Sequence, residues 1–214
     1  MNRRDLLVLS LRLGGLWGVG DLGIMLLPTP TRHDTEPVFR GYDSVPTDPS
    51  DGLNYKVLSV KANAEQQQFL DIRKQAALLN TPLLAQLAAV QDHVNRCPYV
   101  QENPPFNVWT PPDVFMAKGG DCKGYSLAKM WLCLQLGISP HVLFLTSVAT
   151  PSLNHCVLLV QRATGFVMLD SVVELPVQLT DTMQEGYRLY LIENQDGAWA
   201  YRFNSEGRGA HIVR

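Results

Sequence analysis

Charge is scarce in this sequence. Asp, Glu, Lys and Arg make up only 18% of it, and 18 Lys and Arg stand against 20 Asp and Glu for a net charge of −2. That balance leaves no broad basic face for a phosphate backbone, so nucleic acid is excluded as the expected partner. Cysteine is scarce too. Cys97, Cys122, Cys133 and Cys156 are too few for a disulfide framework in 214 residues, and no two are spaced as C-x-x-C for zinc. In an exported chain they would allow more than one complete pairing, and the sequence does not choose among them. No uninterrupted apolar run reaches the roughly 20 residues of a membrane-spanning helix, and there is no internal repeat or low-complexity tract. What is present is 46% hydrophobic residues, enough for one compact core but not for two comfortable domains.

The first 28 residues begin with Arg3-Arg4 and run through Leu6-Leu-Val-Leu-Ser-Leu to an apolar stretch ending at Leu27. A positive start before an apolar segment is the layout of an export signal, here with a twin-arginine-like opening, and it predicts a periplasmic protein. Arg12 and Asp21 interrupt the stretch and no Ala-x-Ala site follows. An N-terminal helix of a cytoplasmic protein is therefore the alternative. Residues 29–52 hold Pro30, Pro37, Pro46 and Pro49 among Thr, Asp and Ser, a composition that reads as a linker sustaining neither helix nor sheet. The folded domain is expected over residues 53–214.

Within it, Phe69, Ile72, Ala76 and Leu79 recur at helical spacing over 64–79, and Thr81-Pro82 opens a second helix running to about Asn95. Prolines 98, 104, 105, 111 and 112 predict an extended loop across residues 97–112. Gly119-Gly120-Asp121 before and Gly137 after then bound a buried helix over about 122–136. Five short Val-, Leu-, Ile- and aromatic-rich segments follow, at 141–148, 155–161, 166–170, 187–192 and 198–203, and predict an antiparallel sheet. Helices first and strands afterwards give an α+β fold.

The chemistry is expected where that buried helix starts. Unpaired N–H groups and the helix dipole favour a thiolate at such a position, and Cys122 occupies it. A cationic partner is required to hold the thiolate as an ion pair, and His155, opening a strand, is the candidate. A turn around 162–165 folds the next strand back. Any even-numbered hairpin loop there puts His155 and Asp170 on one sheet face, opposite or diagonal to each other, whereas a one-residue slip would put the carboxylate on the far side. Cys122, His155 and Asp170 are thus a candidate thiol triad. Cys133, about three helical turns from Cys122, and Cys156, which alternates away from His155, read as structural. Cys97 sits in the loop. Trp109 is either core filler or a cleft wall. His93 and His141 have no metal-spaced partner and read as structural, while His33 and His211 lie in loops or tails.

Trp109-Thr-Pro-Pro, Gly120-Asp-Cys-Lys-Gly-Tyr-Ser-Leu-Ala-Lys, Leu136-Gly-Ile, Asn154-His-Cys-Val-Leu and Met168-Leu-Asp-Ser together resemble the bacterial transglutaminase-like cysteine proteinases, over about 84–171. The resemblance implies a papain- or transglutaminase-like core with the nucleophile at the N-terminus of a buried helix packed on an antiparallel sheet. It also implies Cys122 as nucleophile, His155 as acid/base and Asp170 as orienting carboxylate. The activity implied is cysteine-peptidase hydrolysis of a protein substrate, with a large surface adhesin and a membrane-bound regulator among the partners that family likeness suggests. Acyl transfer to an amine, or a catalytically silent peptide-binding module, are the alternatives. The family motif commonly carries acidic residues after the nucleophile, contributing to a calcium site. Here Lys123 and Gly124 stand there, so no cofactor or metal is expected. Lys123 reads as a solvated surface lysine or as positive charge beside the thiolate.

Overall fold

The computed structural model describes residues 36–39, 42–48, 81–101, 109–179 and 186–203, all within one compact unit, Thr31–Arg214. The expected N-terminal segment, the helix over 64–79 and most of the 29–52 linker lie outside the described residues.

Three helices, α1 (Leu83–Asn95), α2 (Pro112–Lys118) and α3 (Cys122–Gln135), precede six of the strands: β2 (Leu143–Ala149), β3 (Asn154–Arg162), β4 (Gly165–Leu169), β5 (Val177–Leu179), β6 (Arg188–Asn194) and β7 (Gly197–Phe203). A further strand, β1 (Tyr42–Thr47), comes before them in the chain. The described strands form one seven-stranded sheet in the order β1-β7-β6-β2-β3-β4-β5, and every pairing in it is antiparallel. The α+β expectation therefore holds.

Strand alternation divides the core in two. Leu143, Leu145, Cys156, Leu158, Val160, Val167 and Leu169 pack with Leu87, Val90 and Val94 of α1, Phe115 of α2 and the buried length of α3. Their neighbours Phe144, Val157, Leu159, Phe166 and Met168 form a second cluster with Ile192, Trp199, Tyr201 and Phe39, the Phe39 and Phe166 rings stacking at 4.7 Å.

Helix α3 is apolar on nearly all sides because helices and sheet enclose it: every residue from Gly124 to Cys133 is buried. It ends in a Schellman turn at Gly137, whose φ is +80°. There the Gly137 amide donates to the Leu134 carbonyl and the Ile138 amide to the Cys133 carbonyl, each at 3.0 Å. Its start is fixed from the side. The Val100 amide donates to the Gly120 carbonyl at 3.0 Å and the Gly120 amide to the Pro98 carbonyl at 3.3 Å, and the Tyr125 hydroxyl donates to the Cys97 carbonyl.

Several elements depart from the sequence reading. The linker expectation fails at Tyr42–Thr47, which pairs with β7 and sets Pro46 opposite Trp199. As β1 is an edge strand, the missing proline N–H interrupts no second ladder. The loop expected across 97–112 ends in α2, with Pro112 in its first turn, where a missing N–H costs nothing. His141 lies in a 3-10 turn, Pro140–Val142, rather than in β2. β5 is a three-residue edge strand, too short to show periodicity.

Gly119 has φ +78°, and a Cβ there would stand 2.0 Å from the Pro98 carbonyl oxygen. Gly119→Ala should therefore destabilise the domain by about 2 kcal/mol or more, lowering the thermal midpoint by roughly 5 °C or more. A midpoint equal to wild type would show that the turn before Cys122 does not need its present path.

Candidate functional site

Asp121 is the cap of α3: its Oδ1 accepts the backbone N–H of Lys123 at 3.0 Å and that of Gly124 at 3.4 Å. The capping makes half-buried Cys122 the first helical residue, beside amides the helix leaves unpaired. The Ser126 hydroxyl, one turn on, lies 2.9 Å from the carbonyl oxygens of both Cys122 and Cys156. It ties the helix start to the strand residue that follows His155.

His155 is the second residue of β3, and Asp170 follows the last residue of β4. The hairpin between them has a two-residue loop, with Arg162 opposite Gly165 and Leu158 opposite Leu169. Continued by one step, this register sets Asp170 opposite Val157, diagonal to His155 on the same face. The loop is even-numbered, the condition for His155 and Asp170 to share a face. His155 Nε2 and Asp170 Oδ1 are 2.7 Å apart, with the histidine side chain nearly buried and the carboxylate fully so. The Cys122 side chain lies close enough for its charge to raise the imidazole pKa. With Nε2 engaged by the carboxylate, Nδ1 is the ring nitrogen that this contact leaves open.

The carboxylate is held on every side. Oδ1 also accepts the Val172 N–H at 3.1 Å, and Oδ2 accepts the Tyr187 hydroxyl at 2.6 Å. The turn carrying it is clamped by α1: Asn95 Nδ2 donates to the Asp170 carbonyl at 3.2 Å and to the Val173 carbonyl at 3.0 Å, and Gln91 Nε2 donates to the latter at 3.0 Å. Burial alone would depress the His155 pKa, but the hydrogen bond to Asp170 and the negative charge of Asp170 and Cys122 outweigh it, raising the value from 6.5 to about 9. Burial likewise pushes Asp170 up, and the bonds from His155 and Tyr187 overcome it, leaving the carboxyl below its usual range. Tyr187 rises through burial and then through the carboxylate it donates to.

The structure therefore brings Cys122, His155 and Asp170 together. Sequence reasoning missed Tyr187, Asn95 and Gln91. Gln91 and Asn95, four residues apart and so on one face of α1, were a readable signal for the clamp; nothing in the spacing of Tyr187 pointed to Asp170. Lys123 is not a solvated surface lysine, because its ammonium pairs with Asp121 Oδ2 and the two side chains retain only 19% and 11% of their exposure. Lys129 is fully buried in α3, its Nζ 5.9 Å above the Tyr125 ring and without a hydrogen-bond partner among the described residues. Burial lowers its pKa to about 7 against the pull of Asp170, Cys133 and Cys156. Cys133 packs in the core, its thiol pushed up to about 12 by burial. Cys156 is buried in the helical cluster, and Cys97 rests against Met116. All four cysteines are free thiols. Trp109 belongs to the core cluster, and His141 pairs with Asp196 at 2.7 Å on the surface.

No curated protein sequence matches the chain at a significant level. Solved structures do. Legionella pneumophila LapG in its calcium-bound form aligns with a TM-score of 0.53 at 19% identity, over 69% of this chain and 88% of that one. Legionella pneumophila LapG in two further structures, one of them EGTA-treated, aligns at 0.52 and 19% identity, over 77% of this chain and 94% and 95% of those chains. At that identity the likeness establishes the fold, a transglutaminase-like arrangement of helices on an antiparallel sheet. The family profile for the bacterial transglutaminase-like cysteine proteinases matches residues 53–201, most of the chain and all of the site just described, and the chain belongs to that family.

Proposed function

We propose that this protein is a cysteine peptidase that hydrolyses a peptide bond in a protein substrate, with Cys122 as nucleophile, His155 as acid and base, and Asp170 as the group that orients His155. The single observation that carries this reading is the 2.7 Å contact between His155 Nε2 and Asp170 Oδ1, since it leaves the opposite ring nitrogen for the sulfur.

In the reaction the Cys122 thiolate attacks the scissile carbonyl carbon. The resulting oxyanion is held by the backbone N–H of Cys122 at the helix start. His155, as imidazolium, gives its Nδ1 proton to the leaving amine as the C–N bond breaks, and a thioester remains. Neutral His155 then takes a proton from water, whose oxygen attacks the thioester carbon. Collapse of the intermediate expels Cys122 as thiolate while His155 keeps the proton it took from water, so the carboxylic acid departs and the thiolate–imidazolium pair is restored. Asp170 stabilises the imidazolium and fixes its tautomer, and Tyr187 keeps the second carboxylate oxygen from turning towards the ring.

Resemblance of the sequence to adhesin-processing members of the family supports a large surface adhesin as the substrate, a membrane-bound regulator as a partner and the periplasm as the compartment. Incubating the protein with the N-terminal region of such an adhesin and following its size tests that substrate: a single clipped product supports it, and an intact fragment beside cleaved casein argues for another polypeptide.

Cys122→Ala should abolish cleavage of a fluorescent casein while leaving the circular dichroism spectrum and thermal midpoint near those of wild type. Retained turnover would end the proposal. Tyr187→Phe removes one hydrogen bond to a buried charge and should cost about 10-fold in kcat/KM; an unchanged value would remove Tyr187 from the machinery. The imidazolium is the acid, so activity should persist through neutral pH and fall as pH rises through about 9. In Asp170→Asn the support for the charged ring is lost, so the alkaline limb should move to lower pH and kcat/KM should fall on the order of 10³-fold. An alkaline limb at the same pH in both proteins would contradict the assignment.

A further inference from the structure

The turn that presents Cys122 carries a cation of its own. Asp121 Oδ1 is committed to two backbone amides, and Oδ2 pairs with the Lys123 ammonium. The lysine stem folds back over two residues to reach it, largely shielded from solvent. The neighbouring position is closed as well. A Cβ on Gly124 would stand 2.6 Å from Phe115 Cδ2, and Phe115 is fully buried against the Tyr125 ring at 4.7 Å. A side chain bearing a carboxylate at 124 would have to displace a core aromatic.

Calcium, with which the Legionella relative has been solved, takes six to eight oxygen ligands, several of them from carboxylates. The residues here do not fit it. The one carboxylate at the turn has both oxygens engaged, an ammonium occupies the space beside it, and among the described residues no three His, Cys, Asp or Glu side chains group closely enough to hold a metal.

We propose that Lys123 is a tethered cation doing at the nucleophile turn what a divalent metal would otherwise do: it neutralises Asp121 and holds it as the cap of α3, so that neither the fold nor the reactivity of Cys122 depends on calcium. Unneutralised, the Asp121 carboxylate would oppose negative charge on the adjacent sulfur. Lys123 acts through Asp121 and is a positioning residue. The part of the proposal that concerns Cys122 rests on the peptidase reading, and the part that concerns calcium does not.

The wild-type chain is melted in about 1 mM calcium chloride and in EGTA, and the expected result is the same thermal midpoint in both. A midpoint higher by about 5 °C or more with calcium would overturn the proposal. The second arm compares Lys123→Met with Lys123→Arg, reading alkylation of Cys122 by iodoacetamide at neutral pH and located by mass spectrometry. Lys123→Met should react several-fold more slowly than wild type, and Lys123→Arg, which keeps the positive charge, should recover most of the rate. Equal rates in Lys123→Met and wild type would overturn the role of the ammonium. Should Lys123→Met fail to fold, the calcium arm on wild type still decides. Failure of the peptidase reading would appear as casein cleavage by Cys122→Ala, a result that moves neither readout here.

Discussion

The hydrogen bond between His155 and Asp170 is the constraint on which the site depends. It is made inside the protein, where an unpaired carboxylate would be costly to bury, and the fold surrounds that carboxylate with donors from three directions. β3 supplies the imidazole, Tyr187 at the entry to β6 supplies a hydroxyl, and the Val172 amide closes the turn. Helix α1 holds the same turn by its carbonyls through Gln91 and Asn95. Removing a donor would leave charge unsatisfied in the core, so the geometry of the proposed triad and the stability of this corner are set by the same contacts.

Against that background the scarcity of charge acquires a structural meaning. Several of the ionic groups buried among the described residues lie on or beside α3. Lys123 balances the capping carboxylate, and Lys129, buried two turns further along the helix, feels Asp170 across the core. That attraction is long-range and is opposed by the burial that lowers the lysine's pKa. The hydrogen bonds from His155 and Tyr187 are direct and dominate it.

Much of this was legible in the sequence, because it depended on local rules. Asp before Cys at the start of an apolar helical run predicts a capped helix, and Gly137 predicts its end. The separation of 155 and 170 with a turn between fixes a common face for any even-numbered loop, and the observed Ala163-Thr164 loop is such a case. What escaped was set by distant partners. The strand at Tyr42–Thr47 is invisible behind Pro46 because only a partner on one side makes proline tolerable there. Tyr187 reaches Asp170 from the residue before β6, a contact that no periodicity encodes. Lys123 looked solvated because a sequence does not show that its side chain will fold back onto a carboxylate two residues away. The helix expected over 64–79 lies outside the described residues.

The central claim is that Asp170 keeps the imidazole of His155 charged next to Cys122 at neutral pH, and the most direct measurement of it is an NMR titration of the His155 ring nitrogens, assigned with a His155→Gln variant. The account predicts that the ring retains both protons through pH 7 and 8 and releases one near pH 9. A ring that releases its proton at or below 6.5, the ordinary histidine value, would contradict it.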